Sequence, residues 1–261
     1  MRFINLPLRY IEEQPRYLDF FARQGLHPEL GLDAWALDAL PAVWHERTAC
    51  ILHGAGLTCA VHLPFFDLHP GSLDRLIHRT TQDRLLQAVD VARVYRPAHF
   101  IAHLGYAHLT YYNFQPLWLE RSVSTWDAVL AHAGDTPLFL ENVFEDCPDH
   151  HVAVLDALDG RASACLDLGH WHSFAHGRER RDLGVWLDAL GGRIGHLHLH
   201  DNDGGGDQHL GLGQGCIPWD QLWAWLALRP APISVTFEPH TEADFLSTQA
   251  YLAARQGCLP I

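Results

Sequence analysis

The sequence predicts a single (β/α)8 TIM barrel, one domain over residues 1–261. Three observations carry this expectation. Short β-rich runs alternate with longer amphipathic segments, and there are eight such runs. Eight units in 261 residues average about 33 residues each, close to the spacing in barrels of roughly 250 residues. No linker, low-complexity run or composition break interrupts the series.

The runs occupy residues 3–8, 29–32, 58–64, 99–104, 137–143, 163–168, 195–201 and 233–239. Helical periodicity covers residues 73–95, 117–133, 182–190 and 243–255 between and after them. Thr241 is a plausible N-cap for the last of these, and Gly257 a plausible C′ residue. In a barrel, reactive side chains gather at the C-terminal ends of the strands. Here those ends read His62, His103, Glu141, Asp167, His198 and Glu238, so six of the eight runs finish on a metal-ligand type in apolar surroundings. A lone histidine or acid buried on a strand is costly unless paired or bound to metal. Six at the same end of successive units point to a metal centre.

Composition removes several chemistries. Asp and Glu number 31 against 18 basic residues, a net charge of −13, and every basic residue is Arg. Without lysine there is no Schiff base, no pyridoxal anchor and no phosphate-loop lysine. So acidic a chain is poorly suited to track a nucleic-acid backbone. Six scattered cysteines, Cys50, Cys59, Cys147, Cys165, Cys216 and Cys258, form no C-x-x-C pair and read as reduced, mostly buried thiols of a cytoplasmic protein. The first fifteen residues lack the apolar run of a signal peptide, and no stretch of about 18 apolar residues exists to span a membrane.

Histidine is abundant, with 20 copies. Asp167-Leu-Gly-His170 places an imidazole in the turn above the sixth strand. Imidazole and carboxylate together suit Zn, Mn, Fe or Co better than Mg or Ca. In the seventh unit His196, His198 and His200 alternate and so share one face. A barrel interior does not accept three unpaired imidazoles, so some must bind metal or line the mouth. The Gly-rich tail that follows, residues 204–215, is a decoy for a nucleotide fingerprint, because it opens no helix and reads as a flexible loop.

The strand ends and the run His198-Leu-His-Asp201, Asp207-Gln-His209, Leu210-Gly-Leu-Gly resemble the xylose-isomerase-like barrel superfamily over nearly the whole chain. That superfamily holds sugar isomerases and epimerases, type-two apurinic endonucleases and cobamide-remodelling phosphodiesterases. The isomerase branch implies one metal on Glu141, Asp167, His198 and Glu238, with Glu141 and Glu238 as catalytic acid and base. The endonuclease branch implies up to three divalent ions. Its first site would use His62, His103 and Glu141; its second Glu141, Asp167, His198 and Glu238; its third His170, Asp207 and His209. All nine positions carry a suitable residue, and the one-metal set leaves His62, His103, Asp207 and His209 idle. The expectation is therefore a zinc-type cluster hydrolysing a phosphoester, with the isomerase or epimerase as the alternative, and a repair endonuclease or an inert barrel behind both. One departure is Gln214, which stands where the superfamily has the Glu of a Gly-Glu-Gly turn.

The net charge argues against DNA and for a small phosphodiester. Aromatic residues follow the ligands, among them Phe65, Tyr106 and Trp171, and suggest a pocket for a flat or bulky group. These three, with Arg178 as an anion anchor and His200, are the expected substrate contacts.

Overall fold

The computed structural model describes residues 1–255. Gly257 and Cys258, named above, lie outside the described residues. Eight strands close into a barrel in sequence order, every pair parallel. They are β1 (Arg2–Pro7), β2 (Pro28–Gly31), β3 (Ala60–His62), β4 (Phe100–His103), β5 (Leu138–Glu141), β6 (Ser163–Asp167), β7 (Ile194–Leu199) and β8 (Ser234–Phe237). Each falls within the run read from sequence or one residue from it. The ladders stop at His62, His103, Glu141 and Asp167, so the chain turns into a loop at the expected ligand.

Alternation along the strands sorts the side chains. One set, including Val61, Ala102, Leu140, Leu166, Leu197 and Val235, faces the surrounding helices, and all of it is buried. The other points inward. Phe3, Ala60, Ile101 and Cys165 cluster there with Phe139 as a plug inside the barrel. Two residues on, the same inward face carries His62, His103, Glu141 and Asp167. Register levels them: His103 pairs with Glu141, Asp167 with His198, and Gly31 with His62. A layer of ligands therefore rests on an apolar plug.

The expected helices form at Arg75–Ala92, Gln115–Ala133, Leu183–Leu190 and Glu242–Ala254. Asp74 caps the first by accepting from the amides of Leu76 and Ile77, and Thr241 caps the last by accepting from Asp244 N. The first helix ends at Ala92, and residues 93–95 tighten into a 3-10 turn. No helix of the described residues is long and apolar enough to cross a membrane. The cysteines differ from expectation. Cys59 and Cys165 are buried and Cys147 is half-buried, but Cys50, on a helix surface, and Cys216, in the loop after β7, are exposed.

Candidate metal centre

Glu141 is the hub. Its Oε2 lies 2.9 Å from His62 Nε2 and 3.5 Å from His103 Nε2. Its Oε1 lies 3.1 Å from His170 Nδ1 and 3.3 Å from His198 Nδ1. Four imidazoles thus surround one buried carboxylate. His198 Nδ1 is also 3.3 Å from Glu238 Oε1 and 3.8 Å from Asp167 Oδ2. On the far side Asp207 Oδ2 lies 3.4 Å from His170 Nε2 and 3.0 Å from His209 Nε2. All nine sequence-predicted ligands are brought together.

Backbone carbonyls orient these rings. A carbonyl only accepts, so the ring nitrogen facing it carries the proton. His62 Nδ1 donates to Leu63 O at 2.8 Å, His170 Nδ1 to Asn142 O at 2.9 Å, and His209 Nδ1 to Glu238 O at 2.8 Å. In each neutral ring the Nε2 lone pair then faces the cluster, the tautomer a metal ligand needs. Asp167 begins the short helix Leu168–Ser173 by accepting from His170 N at 2.6 Å. That cap holds Asp167 and His170 in mutual register.

Protein groups alone leave this site unbalanced. Asp167 Oδ2, Asp207 Oδ1 and both ring nitrogens of His198 and His200 are buried without a hydrogen-bond partner. Burial pushes the Glu141 carboxyl up, but His198 and His103 overcome this and hold it well below the usual range. Burial lowers His170 and His198, yet the neighbouring Asp167 at the first, and Cys165 and Glu238 at the second, leave both well above the ordinary imidazole value. His103, by contrast, is pushed down to about 3 by burial against the pull of Glu141. The positive charge that the raised imidazoles would take as protons is what a bound cation supplies. N and O donors in this mixture suit zinc and its neighbours in the first transition row.

Three residues of the site were not read from sequence, and Asp201 was read only as part of the His198-Leu-His-Asp201 run, with no role given to it. Glu29, on the inward face of β2, puts Oε1 3.2 Å from His198 Nε2, behind the ring, and takes a hydrogen bond from Thr236 Oγ1. Inward alternation from Gly31 was the available signal. Asn142 straps β5 to β6, donating to Asp167 O and accepting from Asp167 N. Glu145 accepts from the amides of Tyr106 and Val143 in the loops above β4 and β5, and burial raises its carboxyl to about 7. Asp201 accepts from the amides of Asn202, Gly213 and Ile217 and from Trp219 Nε1. With Asn202 and Asp203 holding Gly204 N and Gly205 N, it pins the Gly-rich tail, which is therefore a tied loop and not a flexible one. Exposed Gln214 lies in the same loop, beside Gly213, whose amide donates to Asp201 just past the end of β7. Asp201→Ala strands buried donors costing about 1–3 kcal/mol each, so a loss of roughly 3–5 kcal/mol is expected in chemical denaturation, with weaker metal retention at Asp207 and His209.

The other expectations separate. His196 neither binds at the mouth nor goes unpaired: Ser234 Oγ and Thr236 Oγ1 engage its two nitrogens at 2.7 and 2.9 Å deep in the barrel, and burial lowers it to about 4. A cavity of about 820 Å³ opens over the ligands and has no arginine in its lining. Phe65 lines it and stacks on His103, with ring centroids 4.1 Å apart. Tyr106 is at its wall but 0% exposed, its ring stacked on His150. Trp171 lies outside the lining, its Nε1 donating to Asp182. Arg178 also lies outside it and donates to the Asp203 carbonyl, so it braces the Gly-rich loop. His200 is buried against the cluster and absent from the lining.

A family model described as xylose isomerase-like TIM barrel matches residues 26–255. An uncharacterised protein of Methanocaldococcus jannaschii is 27% identical over 166 residues, covering 60% of this chain and 56% of the relative, so the chain spans little more than half of that relative's length. Among solved structures, a Thermus thermophilus protein soaked with zinc chloride is 27% identical with TM-score 0.77, covering 98% of both chains. D-psicose 3-epimerase with D-tagatose, from Clostridium cellulolyticum, shares the fold at 18% identity and TM-score 0.75, covering 98% of this chain and 99% of that one. Endonuclease IV of Thermus thermophilus shares it at 18% identity and TM-score 0.69, covering 97% and 99%.

Proposed function

The chain belongs to the xylose isomerase-like TIM barrel family, and we propose that within it this protein is a metal-dependent hydrolase of a small phosphodiester. The observation that carries the reading is the surplus of ligands. A one-metal site is satisfied by Glu141, Asp167, His198 and Glu238, yet His62, His103, His170, Asp207 and His209 converge on the same layer. A family with epimerase and endonuclease members accommodates both chemistries, and the extra ligands favour the many-metal one. Zinc is the proposed ion, supported by the N and O donors and by the similar Thermus protein soaked with zinc chloride. When bound, such ions lower the pKa of water, polarise phosphoryl oxygens and neutralise a leaving alkoxide.

The chain's own residues supply the rest. Glu141 offers one oxygen to Nε2 of His62 and His103 and the other to Nδ1 of His198, the placement of a carboxylate shared between sites, while His170 meets that second oxygen only through its protonated Nδ1. Glu29 sits behind His198 Nε2, so that Nδ1 faces the cluster. Phe66, 74% exposed, and Phe144, 59% exposed, flank the cavity from different loops and offer flat surfaces to a substrate ring. The net reaction adds water across one P–O ester bond, giving a monoester and an alcohol.

The test is metal content of protein purified without chelator, alongside turnover of bis(p-nitrophenyl) phosphate and of a ketose. Near three zinc ions per chain with diester cleavage is expected. Near one ion with ketose epimerisation returns the site to the isomerase reading, with Glu141 and Glu238 as its acid and base. DNA is a proposed non-partner. With −13 net charge, no lysine and no arginine in the cavity, affinity for an abasic duplex is expected to be negligible at physiological salt. Tight binding with a steep salt slope and incision at the abasic site would make the protein a repair endonuclease.

A further inference from the structure

We infer that His200 is a fourth protein ligand of the ion held by His170, Asp207 and His209, which makes that site closed while the His62–His103–Glu141 site keeps an open position. The inference rests on the metal-cluster reading but not on the reaction assigned to it.

The four residues offer ligand atoms that all lie within 4.8 Å of one another. Asp207 is their meeting point: its Oδ2 is 3.0 Å from His209 Nε2 and 3.4 Å from His170 Nε2, and its Oδ1 is 3.5 Å from His200 Nε2. Three Nε2 atoms converging on one carboxylate form the donor set of a four-coordinate zinc site. Two of these rings have their tautomer set by a carbonyl at Nδ1, as described above.

His200 itself is unexplained without an ion. Its side chain is 0% exposed; Nε2 lies 3.3 Å from Asp167 Oδ1 as well as 3.5 Å from Asp207 Oδ1, yet neither ring nitrogen completes a hydrogen bond. A buried imidazole that completes no hydrogen bond is costly, and His200 does not line the substrate cavity. Yet the chain makes room for it. A Cβ at residue 169 would stand 1.9 Å from His200 Cε1, so Gly169 is required for the ring to sit there. On its other side His209 stacks against it, with ring centroids 3.8 Å apart.

The consequence is a division of labour. Four protein ligands leave no coordination position for water or substrate, the arrangement of structural zinc, whereas three leave one. His62, His103 and Glu141 form such a three-ligand set; both sets border the open cavity, but only the Asp207 set has a further ligand, His200, closing it from behind. Substrate would therefore engage at the His62 side, and the ion at Asp207 would hold the β7 loop to the barrel.

The test is a crystal structure of the zinc-loaded protein with anomalous diffraction at the zinc edge. A zinc–His200 Nε2 distance of about 2.0–2.1 Å, with His170, Asp207 and His209 completing the set, is expected. A zinc bound by those three residues and a water, with His200 detached, overturns the inference. In solution, wild type challenged with a colorimetric zinc chelator should retain one tightly held ion. His200→Asn should release it with affinity at least about 10–100-fold weaker. Equal retention by the two proteins also overturns it. Diester hydrolysis failing while His200 binds zinc would remove the proposed reaction and leave this site standing.

Discussion

Glu141→Gln should lower turnover by about 10³-fold or more and release metal from two sites at once, while leaving the barrel folded. The carboxylate is nearly isosteric with the amide, so packing at the end of β5 is preserved. What changes is that one oxygen becomes an NH2 group. Whichever way the amide turns, it presents N–H donors either to the site of His62 and His103 or to the site of His198. An amide nitrogen is no ligand, so one site loses its shared oxygen and the other keeps a weak neutral one. Loss of about 4 kcal/mol of charge stabilisation corresponds to about 10³ in rate. Metal analysis, turnover of bis(p-nitrophenyl) phosphate and circular dichroism on the same preparation check this. Retention of full metal content together with activity would show that Glu141 is not shared between sites. Phe139 inside and Leu140 outside keep β5 in place, so collapse of the fold is not expected to mask the result.

Most of this layer was legible because two simple periodicities agree. Alternation sets every second residue inward, and the barrel puts chemistry at the strand ends; His62, His103, Glu141 and Asp167 satisfy both rules. His170, Asp207 and His209 lie beyond the strands and were read through the resemblance; where only one rule applies and no motif helps, the reading fails. Glu29 faces inward but sits two residues short of the end of β2, so a reading of strand ends passes over it. His196 faces inward too, but lies below the ligand layer, where hydroxyls from Ser234 and Thr236 satisfy it. Loop residues are worse served, because their direction depends on tertiary bonds. In the helix Leu168–Ser173 successive side chains turn by about 100°, so aiming His170 at the cluster sends Trp171 away to Asp182. Arg178 is exposed on a one-turn helix whose neighbour, the Asp203 carbonyl, comes from another unit of the barrel. Such a contact has no sequence signal.

Stripping the metal should cost stability in a pH-dependent way. One zinc at about 1,000 times its dissociation constant contributes roughly 4 kcal/mol. For a chain of this size that is a melting shift of about 8–16 °C per site. The chelated protein has a partial substitute, since protons on the raised imidazoles offset Glu141, Asp167 and Asp207. His209 illustrates the sign. Burial lowers it, but Asp207 and Glu238 raise it to about 9, above its unfolded value of 6.5. Its contribution is therefore complete below pH 6.5 and is lost as pH rises through about 9. Zinc runs the other way, because it binds the deprotonated ring and releases the proton. Melting temperatures measured from about pH 6 to 9.5, with zinc and with chelator, should diverge as pH rises: the chelated curve falls while the loaded curve holds. Parallel curves separated by nothing would mean that the layer of histidines and carboxylates folds without regard to metal, and the cluster reading would go with them.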